Sequence, residues 1–119
     1  MCALRGSRIL RILVSIAPRS YREAIARALM RDRPHHEVRI AVPEDLDRDV
    51  AHFEPHLVVS IEVTPLMQET VTSVVRIMYE DSLNARVYMG DQGSSEVHDI
   101  SMKDLLGVVD ETERILSRG

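Results

Sequence analysis

The side chains best suited to hold a metal or move a proton are His35, His36, His52, His56 and His98. His52 and His56 stand four residues apart, the spacing that aligns two ligands on a helix, but Pro55 lies between them and should end that helix. His35 and His36 follow Pro34 and are expected in a solvent-facing loop. No serine sits in the glycine pattern of a nucleophile elbow, so a Ser-His-Asp reading has no support. Gly90-Asp91-Gln92-Gly93 has two glycines but no helix directly after it, which makes a poor phosphate cradle and an ordinary turn. The residues therefore suggest no catalytic group, no metal site and no cofactor. Arg22, Arg27 and Arg31, spaced along one predicted helix, remain as candidate contacts for a phosphate or an acidic partner, against the plainer reading of a solvated helix face.

Composition narrows the classes further. A chain of 119 residues with 45% hydrophobic residues fits one domain. With no Trp, one Phe and three Tyr, its core must be aliphatic. The single cysteine, Cys2, allows no disulfide within the chain and favours a reducing compartment. Met1 to Ile16 is the one candidate targeting segment, but Arg11 splits its apolar run and no small-residue cleavage site follows. No run approaches the ~18 apolar residues of a membrane helix, so a soluble, cytoplasmic protein with no membrane contact is expected. Residues 1–40 carry nine Arg against three acids, and residues 41–119 carry six basic residues against sixteen acids. The net charge of -4 and the scarcity of aromatic residues argue against nucleic-acid binding.

The elements that would position these residues follow from periodicity. Arg8 to Ile16 is apolar enough for an internal strand. Ser20-Tyr21-Arg22-Glu23 is a capping-box pattern, and the helix after it, about Tyr21 to Asp32, has an apolar stripe of Tyr21, Ala24, Ile25, Ala28 and Leu29, with a Glu23–Arg27 pair outside it. Glu37 to Val42 alternates as a second strand at Val38, Ile40 and Val42. Pro43 suits the first turn of a short acidic helix whose stripe is Leu46, Val50 and Phe53. Leu57 to Ile61, bracketed by Pro55 and Pro65, is apolar and β-branched, the pattern of a strand buried on both faces, and is placed at the centre of a parallel sheet. Beyond Pro65 the pattern changes. Leu66 to Thr72 allows two helical turns at most. Val74 to Glu80 and Ala85 to Gly90 are strands joined by the turn at residues 81–84, too short for a crossover helix, so they should form an antiparallel hairpin. Residues 91–95 are expected as a loop and Glu96 to Ile100 as a short edge strand. Ser101 and Asp104 mark a second helix start, with Met102 to Leu116 amphipathic around Leu105, Leu106, Val109 and Leu116. The chain stops three residues later, so no effector domain is expected after this single domain.

The first 65 residues resemble the receiver domain of two-component response regulators. Arg11-Ile12-Leu13-Val14 is similar to the start of the receiver's first strand, and Arg22-Glu23-Ala24-Ile25 to a run common in its first helix. Pro55-His56-Leu57-Val58-Val59 is similar to the proline-aspartate-leucine-valine run of its third strand, and Pro65 has the spacing of the proline after the phosphoacceptor loop. The resemblance implies a flavodoxin-like α/β open sheet, β-α-β-α-β, here followed by an antiparallel hairpin and a C-terminal helix. It also implies a pocket in which an acidic pair and a phosphoacceptor aspartate hold Mg²⁺, completed by a lysine and a hydroxyl residue. In this chain the acidic pair aligns with Ile16 and Ala17 and the phosphoacceptor with Ile61. The one lysine, Lys103, opens a helix and does not end a strand. A slip by one residue would bring Glu62 to the pocket without its partner carboxylates, and Ser60 has none either.

The expected protein is thus a pseudo-receiver: a non-catalytic regulatory or protein-interaction module of two-component-type signalling, contacting a protein partner or itself as a homodimer. The alternative is a small-molecule or nucleotide-binding α/β domain using the crevice at the C-terminal ends of the strands, beyond Ile16, Ala17 and Ile61.

Overall fold

In the computed structural model, which describes residues 9–79, 83–90 and 93–118, β1 (Arg11–Ser15) and β3 (Leu57–Ser60) form the interior of the sheet. Successive side chains of a strand face opposite sides. Ile12, Val14, Leu57 and Val59 therefore meet one layer of helices, and Leu13 and Val58 meet another. Every residue of β3 is buried, and so is every residue of β1 except Arg11. Burial on both faces is what a run without polar alternation requires.

The remaining elements are α1 (Arg19–Asp32), β2 (Glu37–Ile40), α2 (Leu46–Phe53, entered through a 3₁₀ turn at Pro43–Asp45), α3 (Pro65–Thr70), β4 (Ser73–Tyr79), β5 (Leu83–Met89), β6 (Ser94–Val97) and α4 (Met102–Arg118). The strand order is β2-β1-β3-β4-β5-β6. The first four strands run parallel, whereas β5 is antiparallel to both β4 and β6. One core lies between the sheet and α1 with α4, joining Ala26, Leu29, Leu105 and Val109 to β1, β3, β4 and β5. The second lies under α2 and α3, where Leu46, Val50, Phe53 and Met67 cover Leu13, Ala41, Val58 and Val74. The chain is an α/β open sheet of the flavodoxin-like kind in its first half, followed by the antiparallel strands and the C-terminal helix. Among the described residues, no helix is long and apolar enough to cross a membrane.

Several local expectations need correction. Helix α1 begins at Arg19, its cap residue Pro18 offers no side-chain bond, and Glu23 accepts from Arg19 at 2.7 Å, so neither the Ser20 capping box nor the Glu23–Arg27 pair forms as such. Its buried stripe is rotated toward Ala26 and Leu29; Tyr21 and Ala24 are exposed. Strand β2 stops at Ile40, and Ile40 and Val42 are exposed because β2 is an edge strand. The last strand falls at Ser94–Val97, two residues earlier than expected. Residues 81, 82, 91 and 92 of the expected turn and loop lie outside the described residues, as do Cys2 and Glu80. The second helix start does form a reciprocal box: the Asp104 amide donates to Ser101 Oγ at 3.2 Å and the Ser101 amide to Asp104 Oδ2 at 3.1 Å.

The N-terminal end of the sheet is held by two histidines. The Leu10 amide donates to His36 Nδ1 at 3.0 Å, and the Arg11 amide donates to His56 Nδ1 at 2.9 Å. The backbone partners alternate with them, since the Glu37 amide donates to the Leu10 carbonyl and the His56 amide to that of Arg11. His35 and His36 lie in the loop before β2 as expected, but only His35 faces solvent; His36 is buried, because the Leu10 amide just before β1 needs an acceptor and the imidazole supplies it. Nearby, Ser73 and Thr112, both fully buried, bring their hydroxyls within 2.8 Å, and Thr112 Oγ1 also lies 2.8 Å from the Val108 carbonyl. One proton each satisfies the arrangement if Thr112 donates to Val108 and accepts from Ser73.

Burial, followed by the neighbouring His35, holds the His36 pKa below 6.5, while Glu113 and Asp110 oppose the shift. The folded state therefore binds this proton less readily than the unfolded state. The His36 contribution is full above about pH 6.5 and is lost as pH falls. Protonation also places an N–H against the Leu10 amide. Thermal melts between pH 7 and 5 are expected to show falling stability, and His36→Asn, whose Oδ1 can still accept from Leu10, is expected to flatten that slope. An equal slope in the variant would show that His36 is not responsible. Thr112→Val should reduce stability by about 1–3 kcal/mol, read as a lower urea midpoint at unchanged m-value, because it strands the buried Ser73 hydroxyl.

Candidate functional site

The strand ends where an open α/β sheet presents its ligand crevice bring Ser15 and Ser60 into direct register. Ile16 and Ile61 follow them, one on each strand. Ile16 is 1% exposed, and Ile61 is half-buried against the same core. Ala17 is exposed and joined to Pro18 through a cis peptide. The three positions aligned with the acids of a phosphoacceptor pocket are thus neighbours at one end of the sheet, and all are aliphatic. The polar groups beside them are turned inward. Ser60 Oγ donates to the Glu62 carbonyl at 2.6 Å, and Ser15 Oγ is buried with no hydrogen-bond partner. The Glu62 side chain is exposed, and Lys103 lies in the first turn of α4. Among the described residues, no set of carboxylates converges here that could hold Mg²⁺.

Arg22, Arg27 and Arg31 do not act as one patch. Arg22 folds back over the end of β1, donating from Nη1 to the Ile16 carbonyl at 3.2 Å, and its Nε is buried. Arg31 grips Asp32 through two bonds of 3.0 and 3.2 Å. Arg27 is exposed. The helix turns these guanidinium groups to different surroundings, so a shared anion would reach Arg27 most readily.

His35, His36 and Glu113 are the one trio among the described residues whose ligating atoms lie close enough for a metal, within 4.8 Å of one another. It sits at the opposite end of the sheet from the crevice. The tautomer of His36 argues against a metal there. Its Nδ1 accepts from the Leu10 amide, so the ring proton of neutral His36 belongs on Nε2, the nitrogen 3.4 Å from Glu113 Oε1. A metal would need that Nε2 lone pair and would force the proton onto Nδ1, against the amide. His52 and His98 are exposed, and His56 serves Arg11. Helix α2 ends at Phe53, with Glu54 in the left-handed region (φ 53°), so His52 and His56 share no helix face.

An apolar pocket of about 160 Å³ lies between the start of α1 and the start of α4. Val59, Ile77 and Leu105 form its inner wall; Tyr21, Ile100 and Met102 lie around it. Tyr21, which periodicity had assigned to the buried stripe, is 47% exposed. Ser101 brings a hydroxyl, already engaged in the α4 cap. The signal for this cavity was hidden because its lining comes from α1, the central strands and the connection before α4, which no local pattern brings together. No carboxylate, histidine, lysine or cysteine lines it.

No family model matches the chain, and no curated protein matches it. Among solved structures, a HypX variant from Aquifex aeolicus superposes with a TM-score of 0.56 at 12% identity, over 94% of this chain and 28% of that one. A methionyl-tRNA formyltransferase from Clostridium thermocellum gives a TM-score of 0.49 at 10% identity, over 92% of this chain and 66% of that one. Neither structure is named as a receiver domain. The chain spans little more than a quarter of the HypX chain, and at this identity the likeness is one of fold.

Proposed function

We propose that this domain is a non-catalytic, receiver-like regulatory module that acts through protein contacts. The observation that carries the reading is the aliphatic character of Ile16, Ala17 and Ile61 at adjacent strand ends, where phosphoryl transfer would need paired carboxylates and a metal. The neighbouring hydroxyls of Ser15 and Ser60 are buried; Ser60 donates to the Glu62 carbonyl, and Ser15 Oγ has no hydrogen-bond partner. Without those groups the domain keeps a rigid frame and the surfaces around it.

A second reading is favoured by the apolar cavity. Its volume of about 160 Å³ is close to the ~150 Å³ of an engineered cavity that admits benzene, so a small apolar ligand or the apolar end of a larger one would fit. Such a domain would be a small-molecule sensor in place of a phosphorylation sensor.

Two measurements separate these readings. Incubation with acetyl phosphate and Mg²⁺ followed by intact mass measurement is expected to show no added phosphate; a stoichiometric adduct would end the non-catalytic reading. In a thermal-shift screen, saturable stabilisation by one metabolite would favour the sensor. At a concentration of about 100 Kd it should reach roughly 2.7 kcal/mol. Ala24→Phe, placed on an exposed helix position that lines the cavity, should abolish that stabilisation while leaving the unliganded melt little changed.

A further inference from the structure

Register alignment produces a row of side chains that crosses the sheet at its crevice end: Ser15, Ser60, Arg76, Arg86 and Glu96 are successive partners on β1, β3, β4, β5 and β6. All five share the face on which α2 and α3 lie. Those helices cover β1, β3 and the start of β4, where Leu13, Val58 and Val74 are buried. On β5 the helical layer still reaches Tyr88, two residues from Arg86, and beyond Tyr88 the core under α2 and α3 includes no described residue of β5 or β6. Along the row, burial gives way to exposure: the serines are fully buried, Arg76 is exposed, and the Arg86 and Glu96 side chains are 38% and 43% exposed.

The bare region carries an electrostatic conflict. Arg76 and Arg86 are direct cross-strand partners, and like charges so placed repel. Arg86 has some relief from Glu96 at 3.6 Å and Ser94 at 3.3 Å, whereas Arg76 has no ion-pair partner among the described residues. The opposite charge lies on the same side of the sheet, at the other end of the same layer. Glu44, Asp45, Asp47 and Asp49 crowd the 3₁₀ turn and first turn of α2, with Arg48 as the one cation among them. Glu44 and Asp47 are exposed. This acidic turn follows Ala41, whose amide bonds to the Val14 carbonyl at the crevice end of β1, so it stands near the height of the arginine row.

We infer that the bare face receives α2 of a second copy of this chain, in a closed two-fold dimer. The inference rests on the protein-contact reading proposed above and names its surface. The layer is stepped, half covered by helices and half bare. The β4–β6 step is about 10 Å wide at ~4.8 Å between strands, close to the ~10 Å diameter of a helix. A two-fold axis along the strands sets the helical half of each copy over the bare half of the other. It keeps heights unchanged, so the acids of one copy meet Arg76 and Arg86 of its partner, and the same contact forms twice. The association is isologous and closes at two copies. Its polar character makes it salt-sensitive.

Sedimentation equilibrium of the wild-type chain is expected to show a dimer that weakens as salt rises. The variants Arg76→Glu/Arg86→Glu and Glu44→Lys/Asp47→Lys should each dissociate at least about tenfold more readily, with circular dichroism confirming that both stay folded. Mixed together they should form a heterodimer, because every reversed arginine site then meets a reversed acidic site or both are native. A monomeric wild type at high micromolar concentration, a dimer indifferent to either pair of reversals, or a mixture that stays monomeric would each overturn the inference. Any of these leaves the acetyl phosphate result, and with it the non-catalytic reading, standing; a phosphate adduct on a dimeric protein would do the reverse.

Discussion

The burial of β1 and β3 on both faces is the constraint from which the rest of this molecule follows. A strand such as Leu57–Ser60, with every side chain enclosed, needs a helical layer above and below it. The chain supplies four helices among its described residues, and they are unequal. Helices α1 and α4 have 14 and 17 residues, enough to cover one face out to β5. Helices α2 and α3 have 8 and 6 residues and shield little beyond β1, β3 and the first part of β4. Where cover runs out, the sheet must present polar side chains to water. It does so with Arg76, Arg86, Ser94 and Glu96 on antiparallel strands, the arrangement that tolerates one wet face.

The same constraint decides what the polar residues do. A buried backbone amide without an acceptor is costly, and a buried hydroxyl needs a partner. His36 and His56 meet the first two amides at the start of the central strand, Ser60 bonds to its own loop, and Ser73 meets Thr112 beneath α4. Residue types that could serve catalysis are thus engaged in holding the frame. At the crevice end, Ile16 and Ile61 pack into the core as well, Ala17 is exposed, and the Ser15 hydroxyl is the buried polar group left without a hydrogen-bond partner.

Much of the frame was legible because burial writes a strong pattern. The almost wholly apolar run at Leu57–Ile61 reads as an enclosed strand, and the i, i+4, i+7 stripe of Leu46, Val50 and Phe53 as a helix with one wet face; the strand is observed over Leu57–Ser60 and the helix over Leu46–Phe53. The hairpin was legible from the shortness of its connection. What the residues could not reveal were long-range polar matches. His36 after Pro34 has the local appearance of a loop residue, yet its burial is set by Leu10, 26 residues away. Tyr21 is exposed at the start of α1, and beside it Arg22 reaches the Ile16 carbonyl, again a contact outside any periodicity. The cavity between α1 and α4 was hidden for the same reason. The pairing of Arg76 with Arg86 was hidden as well, because only the register of β4 on β5 makes them opposite each other.

That register places a charged row beside the aliphatic crevice end. In a fully covered parallel sheet, the row through Ser15 and Ser60 would continue under helices, and a charge at its fourth or fifth position would be prohibitively desolvated. The turn from β4 into an antiparallel β5 removes that requirement, and with it the crossover helix that would have covered the face. Charged residues become affordable one strand beyond the buried hydroxyls, and a like-charged pair persists there only at an energetic cost that an acidic neighbour would offset. The first half of the chain therefore retains a frame built for a crevice, while its second half exposes a charged ledge beside it. Substitutions on that ledge at Arg76, Arg86 or Glu96 would disturb neither of the two cores that keep β1 and β3 dry.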